Sequence, residues 1–135
     1  MPVLGGIHHV KLPVSDVARS LEWYQKVLGI ETTMEFKDDD GVLRGLVSKV
    51  PGVETTLFAL RENPEAAAGL KDFDPISFGV QTRADVEEWA AYMDKIGIEH
   101  PPIVEAAIGY ILRLQDPDGR WVHIYSWETP DGSDS

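Results

Sequence analysis

Two histidine-containing segments could carry out chemistry. His8 and His9 begin an apolar run in the first segment, "GIHHVKLPV", and His123 lies between two aromatic residues in the second, "RWVHIYSW". An imidazole ring changes charge near neutral pH, and its neutral form can bind a divalent metal or exchange a proton. The segments therefore predict either part of a metal site or polar groups in a ligand pocket. The choice depends on which other ligands the chain supplies.

The composition excludes several other kinds of site. Cysteine is absent, which excludes disulfides, thiolate metal sites and cysteine nucleophiles. The formal net charge of -11 argues against nucleic-acid binding, because such binding uses a basic surface. No signal-peptide pattern occurs at "MPVLGG", and no apolar run reaches the roughly 18 residues that cross a membrane. These features predict a cytoplasmic protein without nucleic-acid or membrane partners.

An internal repeat indicates which elements position the histidines. Placing residue 9 over residue 75 aligns apolar residues of the two halves: Val10, Leu12 and Val14 with Ile76, Phe78 and Val80. The tryptophans Trp23 and Trp89 align at the same offset. We therefore expect two modules, at about residues 5–63 and 73–128, followed by a disordered acidic tail at 129–135.

Each module predicts a strand, a helix and three further strands. Turn-rich sequences separate the later strands, and capping residues mark the helices. Asp16 and Gly29 suit the two ends of the first helix, whereas Thr82 and Asp85 form a capping box at the start of the second. The predicted fold class is α+β, with two βαβββ modules.

The alternation of residues along the strands predicts which side chains face away from the helices. We call this side of each sheet the far face. Val122 and Ile124 point toward the helix, so the far face of the last strand carries Trp121, His123 and Tyr125. By the same alternation, the fourth strand presents Leu57, Ala59 and Arg61, and the first presents His9 and Lys11 but not His8. Large aromatic side chains on a far face predict a pocket or an interface.

The chain resembles the vicinal oxygen chelate superfamily, which contains glyoxalases, bleomycin resistance proteins and extradiol dioxygenases. The residues that carry the resemblance are "HVKLPVSDVARSLEWYQKVLG" and "LQDPDGRWVHIY". The resemblance implies a single glyoxalase-like domain over residues 1–135, in which curved sheets form a cup, usually within a homodimer. Because the family includes isomerases, lyases, dioxygenases, thiol transferases and non-catalytic drug binders, the resemblance implies a fold more sharply than a function.

The resemblance also implies four positions for the ligands of a divalent metal, and here they hold His9, Ala59, Pro75 and His123. Ala59 and Pro75 have no coordinating side-chain atom. A catalytic metal typically needs about three protein ligands, so we expect no tightly bound cofactor. In the alternative, a divalent metal is held by His9 and His123, with Glu54 or Asp74 as a substitute ligand.

Two functions therefore remain. In the first, the protein binds a small organic molecule in an aromatic-lined cup, and the ligand-binding residues are His9, Lys11, Arg61, Trp121, His123 and Tyr125. In the second, it is a metal-dependent lyase, isomerase or dioxygenase that uses His9 and His123. We expect these two histidines to face one cup, formed within one chain or between two copies. No catalytic residue is assigned.

Overall fold

The computed structural model describes residues 1–132, which divide into two compact units. Unit 1 is Met1–Gly69 and unit 2 is Leu70–Ser135, of which residues 133–135 lie outside the described part. The tail predicted at 129–135 thus falls only partly within the structure. Its described residues form a turn, in which the amide of Gly132 donates to the carbonyl of Thr129 at 2.9 Å and Thr129 is buried.

Unit 1 contains a sheet with the strand order β1-β4-β3-β2, in which β1 and β4 are parallel and the other pairs antiparallel. Its elements are β1 (His9–Val14), α1 (Val17–Leu28), β2 (Glu31–Lys37), β3 (Leu43–Val50), β4 (Val53–Glu62) and α2 (Pro64–Gly69). The short helix α2 was not predicted. Asn63 caps it by accepting the amide of Ala66 at 3.1 Å.

Unit 2 repeats this arrangement with the strand order β5-β8-β7-β6, and β5 is parallel to β8. Its elements are β5 (Ile76–Val80), α3 (Arg83–Ile96), β6 (Val104–Ala106), β7 (Gly109–Gln115) and β8 (Trp121–Ser126). The predicted α+β fold of two βαβββ modules is confirmed.

The two long helices begin and end where the sequence predicts. Asp16 accepts the backbone amide of Arg19, and Gly29 ends α1 in the left-handed region with φ 69°. Both hydrogen bonds of the predicted capping box between Thr82 and Asp85 are present at the start of α3. No helix within residues 1–132 is long and apolar enough to cross a membrane.

Each helix closes one face of its own sheet. In unit 1, Tyr24 of α1 is fully buried and its ring lies 5.1 Å from that of Phe58 in β4. In unit 2, Met93 of α3 is buried, as are Val122 and Ile124 of β8. Since the helix sides are closed cores, groups that meet a ligand must lie mainly on the far faces.

Candidate functional site

The register of unit 1 places small and apolar residues in rows across its far face. Residues paired in register point to the same side of a sheet. Lys11 of β1 pairs with Ala59 of β4, and Ala59 pairs with Val47 of β3. The adjacent row runs from Arg61 through Gly45 to Phe36 of β2. The predicted far-face positions of Lys11, Ala59 and Arg61 therefore lie together.

A cavity of about 270 Å³ opens on this far face. Ala59 is 3% exposed and forms part of its floor, where its methyl group leaves room that a larger side chain would occupy. Gly45 contributes no side chain in the next row. The cavity is lined by His8, His9, Lys11, Phe36, Gly45, Leu46, Val47, Leu57, Ala59, Leu60 and Arg61. The lining is mainly apolar, as in small-molecule sites, and the volume lies just below their usual range of about 300 to 1,000 Å³.

Two cations stand beside this apolar floor. Lys11 and Arg61 are both exposed, and no carboxylate within residues 1–132 forms an ion pair with either of them. By contrast, Arg44 on the same sheet pairs with Asp38 and Glu62. The cavity therefore offers unpaired positive charge to a ligand, even though the whole chain is strongly acidic.

Both adjacent histidines lie at the cavity, so the prediction that His8 faces away from it is wrong. His8 precedes β1, and the alternation of the strand does not apply to it. The two rings meet edge to face with centroids 5.2 Å apart. Their Nδ1 atoms are 3.0 Å apart, so one ring donates a hydrogen bond to the other.

The far face of unit 2 carries larger side chains in the corresponding row. Ser77 of β5 pairs with His123 of β8, and His123 pairs with Arg113 of β7. The Arg113 guanidinium lies over the Trp121 ring, 4.2 Å from its centroid, and its Nε donates to His123 Nε2 in a long hydrogen bond of 3.4 Å. Sequence reasoning missed Arg113, although a single arginine within the apolar strand "GYILRLQ" could have drawn attention to it.

The surroundings of His123 favour its neutral form by lowering its pKa. Burial lowers its pKa, the positive charge of Arg113 lowers it further, and the carboxylate of Asp74 opposes both. Asp74 Oδ2 lies 3.7 Å from His123 Nδ1, which has no hydrogen-bond partner within residues 1–132. With Nε2 accepting from Arg113, the proton of the neutral ring resides on Nδ1. His123 and Tyr125, whose ring centroids are 6.4 Å apart, complete this part of the far face.

Trp127, just beyond β8, covers part of the same far face. A Cβ atom on Gly79 would lie 2.1 Å from the Trp127 ring, so only glycine allows the indole to rest there. Tyr125 pairs with Gly79 on one side and Ile111 on the other. Side chains of unit 2 itself thus occupy part of the face that forms an open cavity in unit 1.

Of the four metal positions implied by the superfamily resemblance, only His9 keeps a ring nitrogen free for a metal, so the set does not fit a divalent metal. Ala59 presents a methyl group, Pro75 directly precedes β5, and the Nε2 lone pair of His123 accepts from Arg113. Within residues 1–132, no three His, Cys, Asp or Glu side chains are grouped as metal ligands. Of the two suggested substitutes, Asp74 lies near His123, whereas Glu54 lines a separate groove with Glu31 and Lys49.

Similarity to curated proteins extends over most of the chain. A protein of Bacillus subtilis (strain 168) named "Putative ring-cleaving dioxygenase MhqA" is 26% identical over 122 residues. The match covers 87% of this chain but only 39% of that protein. The chain therefore spans about two fifths of the curated relative's length.

Solved structures share the fold at low sequence identity. An antibiotic-binding protein from Streptomyces sp. CB03234 superposes with a TM-score of 0.73 at 17% identity, covering 93% of this chain and 98% of that one. A fosfomycin resistance protein from Listeria monocytogenes, solved with Mn(II) and 1S,2S-dihydroxypropylphosphonic acid, gives 0.69 at 16% identity, covering 92% and 91%. The family model of the Glyoxalase/Bleomycin resistance protein/Dioxygenase superfamily matches residues 6–124. The chain belongs to this superfamily, as its sequence motifs predicted.

Proposed function

We propose that the protein binds a small, partly apolar organic anion in the cavity of unit 1, without a tightly bound metal. The observation that carries the proposal is the cavity itself, with an apolar floor beside two unpaired cations. A ligand that buries apolar atoms against Ala59 and Val47 gains about 25 cal/mol per Å² of area removed from water. Lys11 and Arg61 would then meet its negative charge.

The polar groups around the cavity support binding of a ligand that also needs hydrogen bonds. His8 and His9 form a hydrogen bond between their Nδ1 atoms, so their Nε2 atoms are available to a ligand. Phe36 contributes an aromatic side chain that is 44% exposed. Three further residues predicted to bind the ligand lie on the far face of unit 2: Trp121, His123 and Tyr125. A shared cup for His9 and His123 stays a prediction.

A metal-dependent ring-cleaving dioxygenase is the second candidate, and the relative from Bacillus subtilis favours it. Non-haem iron oxygenases commonly hold their metal with two histidines and one carboxylate. Ala59 and Pro75 provide no such ligands here, and Arg113 already occupies the Nε2 lone pair of His123. Elemental analysis of the purified protein separates the two candidates. The dioxygenase requires about one iron or other divalent metal per chain, and the proposed function requires far less.

The cavity can be tested with the aromatic anion 1-anilinonaphthalene-8-sulfonate, whose fluorescence rises in apolar surroundings. We expect saturable binding to the native chain. Ala59→Leu, which places an isobutyl group on the cavity floor, should weaken binding by about tenfold or more. Lys11→Gln combined with Arg61→Gln should weaken it severalfold and reduce its dependence on salt.

Lys26→Gln in α1 provides a control that removes the same charge from an exposed helix. It should leave binding unchanged, and circular dichroism should show that all variants remain folded. Unchanged dye binding in a folded Ala59→Leu variant would exclude this cavity as the site.

A homodimer, expected from the superfamily, is also part of this proposal. Support comes from large apolar side chains left exposed in unit 1: Met1, Val3, Leu4, Ile7 and Met34. Such side chains commonly mark surfaces that are covered by another copy. Sedimentation velocity at micromolar concentration should give twice the chain mass of 15.0 kDa, and a stable monomer would contradict the dimer.

A further inference from the structure

Arg113 is a cation on the far face of unit 2. Its neighbours engage only some of its hydrogen-bond donors. The guanidinium lies over the Trp121 ring, and its Nε–H donates to His123. A guanidinium carries five N–H donors in one plane, and the hydrogen bond to His123 uses only one of them. The two terminal amino groups remain as a planar fork.

Among the described residues, 1–132, the fork has no acidic partner. Arg44, Arg83 and Arg120 each form an ion pair with a carboxylate, whereas no carboxylate within residues 1–132 pairs with Arg113. The side chain is half-buried and lies in the central part of the sheet, not at its edge. A partly desolvated cation without a counter-ion is a strong site for an external anion.

His123 supplies a second, independent observation. The residue is 7% exposed, and its buried Nδ1 lacks a hydrogen-bond partner within residues 1–132. It stands at the position where the superfamily resemblance implies a metal ligand. Here its Nε2 lone pair accepts a hydrogen bond from a guanidinium, so a fixed cation of the chain lies where a metal ion would need to bind.

We propose that the Arg113 guanidinium takes the place of a metal ion as the oxyanion-binding group of unit 2, and that its ligand is a small aromatic carboxylate. A planar carboxylate matches the two terminal amino groups, which can bind both of its oxygens at once. The half-buried ring of Tyr125 provides apolar surface for the aromatic part. This site stands whether or not the cavity of unit 1 binds a ligand.

Benzoate is the probe, and two-dimensional ¹H–¹⁵N NMR of the full chain reports binding locally. The Nε–H resonance of Arg113 and the indole N–H resonance of Trp121 should both shift with the same dissociation constant. Arg113→Gln should weaken the binding seen at Trp121 by about tenfold or more. Arg113→Lys, which keeps the charge but loses the planar fork, should give an intermediate affinity.

Lys95→Gln, an equal loss of charge at the exposed end of α3, should bind benzoate as the native chain does. Neutral benzamide should bind at least about tenfold more weakly than benzoate. A chelator should leave the affinity unchanged, because no metal takes part.

Equal affinity of the native chain and a folded Arg113→Gln variant would overturn the proposal, as would benzamide binding as tightly as benzoate. Loss of benzoate binding in the presence of chelator would overturn the replacement of a metal. Loss of benzoate binding in Ala59→Leu, with Arg113→Gln unaffected, would assign benzoate to the cavity of unit 1 and also overturn this site.

Discussion

The strands of the two units pair in the same register, but the side chains on their far faces differ. In unit 1 the row from β1 to β3 reads Lys11, Ala59 and Val47, and a cavity opens above it. In unit 2 the corresponding row reads Ser77, His123 and Arg113. His123 and Arg113 are larger than Ala59 and Val47; they contact each other, and Arg113 also contacts Trp121. The same backbone thus gives an apolar cavity or a polar cluster, according to side-chain volume at a few positions.

The comparison shows that one fold can carry different side chains at matching positions of its far faces. An alanine at the far-face position of β4 removes a potential ligand and creates space. An arginine opposite the corresponding histidine of β8 supplies a fixed charge. Neither change affects the helix side, where the cores of both units are closed. The proposed binding groups and the closed cores therefore lie on opposite faces of the same strands.

The largest expected loss of stability comes from replacing a far-face glycine by alanine, and it should differ between the two units. A Cβ on Gly109 would lie 2.2 Å from the Ser126 carbonyl oxygen and 2.8 Å from the Tyr125 ring, so Gly109→Ala should destabilise the chain by about 3 kcal/mol. In unit 1, a Cβ on Gly45 would meet its nearest atom at 3.1 Å. Gly45→Ala should therefore cost about 1 kcal/mol or less. Urea denaturation measures both, and equal losses would show that the two faces are equally tight.

An intermediate effect is expected for the matched pair Trp121→Ala and Leu57→Ala, which occupy corresponding positions. Both side chains are half-buried, and Trp121 contributes mainly by its contact with Arg113. Each substitution should lower the free energy of unfolding by about 1 kcal/mol. A loss of about 3 to 5 kcal/mol for Trp121→Ala would instead identify the indole as core. Thermal melts of the two variants distinguish these outcomes.

The smallest effect concerns a titrating contact that unit 2 has and unit 1 lacks. His100 donates from Nδ1 to the Pro101 carbonyl at 2.9 Å and from Nε2 to Asp94 at 2.8 Å. The Pro101 carbonyl, followed by Asp94, raises the pKa of His100 above its usual value against the opposing effect of burial. Thr32 stands at the corresponding position in unit 1 and does not titrate.

A raised pKa means that protonation stabilises the folded state. The contribution of His100 is complete below its unfolded pKa of about 6.5 and disappears as the pH rises through the higher folded value. The native chain should therefore exceed His100→Gln in melting temperature more at about pH 5.5 than at about pH 8.5. A difference that does not change with pH would show that the contact is not charge-dependent.

The helices and strands, and the side of the sheet on which strand residues lie, could be predicted from sequence because both depend on neighbouring residues. Asp16 and Gly29 gave the ends of α1 because a cap depends on residues a few positions apart. Strand alternation placed Ala59 and Arg61 on the far face because side chains alternate along any strand.

Features that depend on register between strands were not predictable. The contact between Arg113 and His123 requires knowing which residue of β7 lies opposite β8, and the place of Trp127 depends on the space above Gly79. The direction of the His8 side chain was predicted wrongly because His8 lies just before β1, where side chains need not alternate as they do within a strand.

The parallel pairing of the first and last strands has a consequence for synthesis on the ribosome. His9 pairs with Leu57 and Lys11 with Ala59, so β1 must wait for β4 to leave the exit tunnel. The neighbouring antiparallel pairs join segments close in sequence and can form earlier. We expect the amides of β1 to become protected last in pulsed hydrogen exchange during refolding. The floor of the cavity, which spans both strands, then forms late in folding, and a nascent chain that ends before β4 lacks this cavity.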